Sequence, residues 1–259
     1  MKKSAVQLNV MPTDQLKEAR RAASKARQRS GRAHGKKSSV LRSLLKFDLD
    51  IHNVYKCKTL IGVDEVGRGC LAGPVVAAAV ILPPEFDRKL IKKLALLNDS
   101  KQIKPADREE IAAVVKSEAR WGIGSCSPEE IDTINIYHAS LLAMRRALDH
   151  LYDAFQVKCD APLVVLDGKA KIADLVLKQI PIVKGDEQSA CIAAASVVAK
   201  VHRDRLMTEL SKDVPHYKWE SNKGYACRAH VEGIRVNGIT IWHRRTFLVR
   251  FGDLVLVES

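Results

Sequence analysis

Residues 61–82 read IGVDEVGRGCLAGPVVAAAVIL, and the rest of the chain is organised around them. Leu60, Ile61 and Val63 form a short apolar run that ends in two adjacent carboxylates, Asp64 and Glu65. A Gly67-Arg68-Gly69 turn follows, then an apolar run from Val75 to Leu82 with the length and composition of a buried strand. Acids at a strand end, beside a glycine turn where backbone can approach a ligand closely, suit metal or phosphate chemistry. The same pair is also what an ordinary solvated strand end carries. Successive strand residues point to opposite faces. Both acids therefore reach one site only if the backbone bends at Glu65, and the two glycines allow such a bend.

The 259 residues, 46% of them hydrophobic, are enough for one large or two small cored domains. No apolar run is long enough to cross a bilayer as a helix, and the N-terminus lacks the apolar stretch of a secretory signal. The expectation is a cytoplasmic protein without membrane association. Cys57, Cys70, Cys126, Cys159, Cys191 and Cys227 are scattered, with no C-x-x-C pair, and read as reduced packing thiols. The net charge of +13 is concentrated at one end: residues 1–46 hold thirteen Lys/Arg against Asp14 and Glu18, while the body is nearly balanced. Residues 1–52 read as a basic extension, partly helical or disordered. A helix is expected over 14–29 and loop at Ser30-Gly31 and over 35–39. Its charge suits a solvated tail, an arm along nucleic-acid phosphates, or a transit peptide.

Beyond the extension, an amphipathic helix is expected over 40–55, strands over 60–65 and 74–82, and helices over 85–97 and 105–118. A strand at 120–126 precedes a helix starting at Ser127-Pro128-Glu129-Glu130 and running to about Tyr152. Trp121 and Tyr137 read as packing. Residues 163–168 are an apolar strand closed by Asp167, a site candidate that equally suits an Asp-Gly turn. After a strand at 180–183, Lys184-Gly185-Asp186-Glu187 leads into a small-residue helix from Gln188 to about Lys212. Asp186 sits where the helix dipole favours a carboxylate, so simple capping is its alternative role.

Together these stretches resemble ribonuclease HII, the type 2 ribonuclease H, in its bacterial form. The resemblance rests on Asp64-Glu65-x-Gly67-Arg68-Gly69, on Asp99-Ser100-Lys101, and on the strand ending at Asp167. It continues through Lys184-Gly185-Asp186 with AASVVAKVHRD at 194–204, NKGYACRAH at 222–230 and IWHRRTF at 241–247. The motifs occur in order from Lys58 to Phe247. Cys70, Lys169 and Cys227 depart from the family's proline, asparagine and threonine.

The resemblance implies the ribonuclease H-like α/β fold: a central mixed sheet flanked by helices, with a small C-terminal helical portion from about residue 205. It makes 53–259 the catalytic domain. It implies a metal-dependent endoribonuclease that hydrolyses RNA in RNA–DNA hybrids and incises 5′ to single ribonucleotides in duplex DNA, leaving 5′-phosphate and 3′-hydroxyl ends. Asp64, Glu65, Asp167 and Asp186 become the catalytic, metal-binding acids. Four carboxylates stay ionised together only around positive charge, and hard oxygen donors select Mg²⁺ or Mn²⁺, in a two-metal site. Gly67, Arg68, Gly69 and Tyr225 become readers of the ribose, and Lys101, Lys200 and Arg244 phosphate contacts. A monomer is expected. The alternatives are a hybrid-cutting enzyme without single-ribonucleotide activity, like type HIII, and a non-catalytic nucleic-acid-binding module.

Overall fold

Val75 to Val80 are inaccessible to solvent because helices cover both faces of the sheet that contains them. The computed structural model describes residues 33–97, 103–157 and 161–249. The helix expected at 14–29, the motif holding Lys101, Cys159 and residues 250–259 lie outside the described residues. Helix α1 (Ala33–Tyr55) leads into strands β1 (Thr59–Val66) and β2 (Val75–Ile81), then α2 (Arg88–Lys93), α3 (Pro105–Glu118) and β3 (Arg120–Cys126). Helix α4 (Pro128–Phe155) precedes β4 (Pro162–Asp167) and β5 (Lys178–Ile182). Helix α5 (Ala190–Asp213) and the short helices α6 (Trp219–Asn222), α7 (Arg228–Asn237) and α8 (Arg245–Leu248) complete the order.

The five strands form one mixed sheet in the order β3-β2-β1-β4-β5. β1 pairs antiparallel with β2 and parallel with β4. The odd-numbered Ile61 and Val63 pack with Ala143, Met144 and Leu148 of α4. On the opposite face, Ala78 and Val80 meet the Ala193–Ala195 run of α5. Small residues there let α5 lie close over the centre of the sheet, which is why this helix carries no apolar stripe: nearly its whole first half is buried.

Several helix boundaries differ from the expectations. α1 begins at Ala33, so residues 35–39 are helical rather than loop. Extending a formed helix costs far less than nucleating one, and that outweighs the poor propensity of Gly35. α1 docks through Leu41, Leu44, Phe47 and Ile51. α2 is confined to Arg88–Lys93, started by Asp87, whose carboxylate accepts from Leu90 N at 2.6 Å. α4 has the expected capping box, with Ser127 and Glu130 exchanging side-chain-to-backbone hydrogen bonds. It breaks at Asn135 (φ 63°), whose amide oxygen re-caps the chain by accepting from Tyr137 N and His138 N. Tyr137 is 49% exposed rather than packed. Trp121 is partly buried and donates to Lys116 O. Among the described residues no helix is long and apolar enough to cross a membrane, and the five described cysteines are free thiols.

One tertiary contact ties α1 to α5. Asp48 Oδ2 accepts from Cys191 N, in the first turn of α5, at 3.0 Å. Its other oxygen is buried without a hydrogen-bond partner. Burial pushes the Asp48 carboxyl up to about 6, against the opposing effect of hydrogen bonds from Ser189 and Cys191. A carboxyl raised in the fold favours folding fully below its ordinary value near 4, and that advantage is lost as pH rises through 6. Asp48→Asn keeps an acceptor for Cys191 without the charge. The variant is expected to gain about 3 kcal/mol on the wild type between pH 4 and pH 8 in denaturant unfolding. A stability gap that does not change with pH would show that Asp48 does not titrate in the fold.

Candidate active site

Parallel pairing of β1 with β4 matches Val63 to Leu166, so Asp64 and Asp167 are the next residues along neighbouring strands, on the face covered by α5. Gly185 N donates to Asp167 Oδ1 at 2.6 Å and binds the turn carrying the buried Asp186 to the end of β4. That turn, Gly185–Glu187, runs directly into α5, whose Ser189 side chain caps Ile192 N. Two turns into the helix, Ser196 donates to Asp64. Asp64 also accepts from Glu65 N at 2.8 Å.

Burial pushes the Asp64 carboxyl well up, and Glu65, Asp167 and Asp186 add to this by like-charge repulsion. Burial likewise raises Glu65, opposed by its ion pair with Arg68 at 3.1 Å. The bend expected at Glu65 is absent. β1 stays paired through Val66, with Asp64 opposite Ala78 and Glu65 opposite Ala77. The longer Glu65 side chain, at the strand end, interacts with Asp64 and Asp167 without it.

After β1 the glycine loop is held by two arginines whose side chains point inward. Arg203, on α5, is fully buried and donates to Pro74 O, Ala72 O and Lys223 O at 2.9–3.0 Å. Arg244 is fully buried too, donating twice to Gly73 O and once, at 3.0 Å, to Arg68 O. The expectation that Arg244 contacts phosphate is corrected: it has no exposed surface, and its guanidinium is spent on loop carbonyls. Burial pushes the pKa of its guanidinium down to about 10, and carbonyl acceptors are what make such burial tolerable.

Gly67 (φ 90°) lies against Arg203, whose Nε would stand 2.2 Å from an added Cβ. Gly69 differs: a Cβ there meets nothing within 4 Å. Tyr225 stands beside this loop, 41% exposed, with Cys70 against its phenol and Lys200 Nζ 5.9 Å from its ring centroid. Lys200 is already paired with Asp204 at 2.7 Å. Cys227, in the place of the family's threonine, starts α7 without a side-chain cap.

The structure therefore brings Asp64, Glu65, Asp167 and Asp186 together, and gathers Gly67, Arg68, Gly69, Tyr225 and Lys200 at one neighbouring loop system. Ser196 and Arg203 were not singled out from sequence as site residues. Both lie in the 194–204 motif, where their fixed spacing on α5 was the available signal. The acids are an all-oxygen donor set in which a divalent cation would relieve mutual repulsion, so the chemistry of the donors fits one. As the side chains lie here, no group of three or more His, Cys, Asp or Glu among the described residues is arranged to hold a metal ion. Each of Asp64, Glu65 and Asp167 is instead occupied by a protein hydrogen-bond donor.

A mixed sheet with acids at the ends of two parallel strands and a helix laid over them defines a ribonuclease H-like α/β enzyme. The ribonuclease HII of Pelagibacter ubique is 46% identical over 191 residues, spanning 73% of this chain and 96% of that relative. That of Thermotoga maritima is 45% identical over 201 residues, 77% and 78% of the two chains. The family model for ribonuclease HII matches residues 61–251. The chain belongs to the ribonuclease HII family of endoribonucleases. The fold is also seen in the PCNA–ribonuclease HII complex of Archaeoglobus fulgidus (TM-score 0.56, 24% identity, 72% of this chain and 94% of that one). A ribonuclease HIII solved with Mn²⁺ shares it (TM-score 0.58, 22% identity, 75% and 70%).

The two loop glycines separate fold from site. Gly67→Ala is expected to cost roughly 2 kcal/mol or more, because it combines a left-handed backbone with a clash against a pinned guanidinium. Gly69→Ala should stay within about 0.5 kcal/mol of the wild type in urea unfolding. Equal losses at the two positions would mean that the loop is not held as described.

Proposed function

We propose that this chain hydrolyses the RNA strand of RNA–DNA hybrids and incises duplex DNA on the 5′ side of a single ribonucleotide. A water molecule attacks phosphorus in line, the bond from phosphorus to the 3′-oxygen breaks, and the products are a 5′-phosphate and a 3′-hydroxyl. The observation that carries this reading is the convergence of the four acids next to a glycine loop that is open at Gly69.

Asp64, Glu65, Asp167 and Asp186 would hold Mg²⁺ or Mn²⁺, which supplies a Lewis acid for the phosphodiester and eases deprotonation of water. The chain's own residues do the positioning. Ser196 and Glu65 N orient Asp64; Gly185 N orients Asp167. Without a Cβ, Gly69 lets a sugar approach the loop backbone, where a 2′-hydroxyl can act as donor and acceptor. Tyr225 offers an exposed ring face for that sugar, and Arg68, half-exposed, offers charge to the adjoining phosphate.

A labelled duplex with one ribonucleotide, incubated with Mn²⁺ or Mg²⁺, tests the reading directly. The wild type is expected to cut once, 5′ to the ribonucleotide, and Asp64→Asn to cut roughly a hundred- to a thousandfold more slowly, the scale of losing one preorganised electrostatic group. Gly69→Ala should fold normally and lose activity on this substrate. Cleavage of a continuous hybrid without incision at the single ribonucleotide would leave a hybrid-only nuclease. Undiminished cutting by Asp64→Asn would remove the acid cluster from the mechanism.

A further inference from the structure

Two histidines from the closing motifs have no part in the chemistry above, yet both are buried. His230 and His243 lie with Tyr217 and Trp219 under the loop that carries Tyr225. Their contacts determine every proton. Thr240 N donates to His243 Nδ1 at 3.0 Å, so the His243 proton is on Nε2. The Trp219 indole, a donor only, gives its N–H to His230 Nε2 at 2.9 Å, so the His230 proton is on Nδ1. His243 Nε2 therefore turns its N–H to His230 Nε2 at 3.2 Å, sharing that nitrogen's single lone pair with Trp219, and His230 Nδ1 donates to Tyr225 O at 3.0 Å. Both rings are neutral. Protonating His230 Nε2 or His243 Nδ1 would set N–H against N–H.

The same loop is held at each successive carbonyl. Lys223 O accepts from Arg203, Gly224 O from Leu71 N at 2.8 Å, and Tyr225 O from His230. The first two bonds run to α5 and to the glycine loop, respectively. The third runs down into the aromatic cluster and is the one that holds the carbonyl of the residue whose ring is exposed, beside the bond from Tyr225 N to Asn222 O at 3.0 Å. We infer that the buried Trp219–His230–His243 relay is a positioning device that fixes the backbone of Tyr225 and thereby sets the preference of this enzyme for a ribose at the cut site. The inference rests on the reading of Tyr225 as the residue that faces that sugar. His230 and His243 are positioning residues: neither reaches the surface.

The two amide replacements of His230 dissect the relay, because each reproduces one ring nitrogen. His230→Asn puts an N–H where Nδ1 stands and keeps the bond to Tyr225 O. His230→Gln puts an amide oxygen where Nε2 stands, keeping the acceptor for Trp219 and His243 while losing the hold on Tyr225. The readout is kcat/KM on a single-ribonucleotide duplex divided by kcat/KM on a continuous hybrid, with unfolding curves confirming that each variant is folded. His230→Gln is expected to lower the ratio roughly 3- to 10-fold, the scale of one lost hydrogen bond, and His230→Asn to restore most of it. In a Tyr225→Ala background His230→Gln should leave the ratio where Tyr225→Ala alone puts it. Should His230→Gln fail to fold, Trp219→Phe, which removes one of the two donors holding the ring, is expected to move the ratio in the same direction. The relay is overturned if the Asn and Gln variants fall equally, or if His230→Gln acts as strongly without the Tyr225 ring. If Tyr225→Ala itself leaves the ratio unchanged, the reading of Tyr225 fails, and the relay's role in discrimination with it.

Discussion

Like-charge crowding at Asp64 is the constraint around which the rest of the molecule is arranged. The carboxylate is buried against Glu65, Asp167 and Asp186, and burial together with repulsion disfavours its charged form. A fold selected for stability alone would put apolar or amide groups there. What keeps the cluster in place is a set of donors supplied by backbone and helix: Glu65 N and Ser196 on Asp64, Gly185 N on Asp167, Arg68 on Glu65. Acidic side chains with perturbed protonation, gathered at strand ends, mark functional sites more often than structural ones.

The second arrangement that follows is the way distant parts of the chain are bound to the first loop. Arg203 and Arg244 are buried guanidiniums, inaccessible to solvent, that spend their donors on carbonyls of residues 68–74 and 223. The C-terminal helices are therefore part of the site's scaffold. Asp132 of α4 adds a further tie by accepting from Arg245 N and Thr246 N at the start of α8. At the far end, α1 reaches the same machinery through Asp48 and the first turn of α5, the helix that follows Asp186.

Much of this was legible in the residues. The apolar run closed by Asp167 marked the end of β4, the run into Asp64 and Glu65 marked β1 to within a residue of its end at Val66, and the Lys184–Glu187 turn before a small-residue helix placed Asp186 just ahead of α5. Those signals are local, a run and what terminates it, so they survive without knowledge of neighbours. The errors came where tertiary packing decides. The resemblance made Arg244 a phosphate contact, in keeping with arginine's usual place at the surface, and nothing local tells that two loop carbonyls, of Arg68 and Gly73, await it. The helical start at residues 33–39 and the break at Asn135 were likewise settled by helix continuation and by a side chain re-capping its own backbone. The supposed need for a bend at Glu65 took strand alternation too strictly for a long side chain at a strand's end.

Thermal unfolding of the wild type and Asp64→Asn, with chelator and then with Mn²⁺, tests most directly whether opposed carboxylates hold the site in waiting for a cation. A carboxyl raised in the fold favours folding below its ordinary value and loses that advantage as pH rises. In chelator the two proteins should therefore melt alike near pH 4, and the variant several degrees higher at pH 8, at about 2–4 °C for each kcal/mol. Adding Mn²⁺ at pH 8 should raise the wild type and leave the variant nearly unmoved. A variant no more stable than the wild type in chelator, with both raised equally by Mn²⁺, would contradict it.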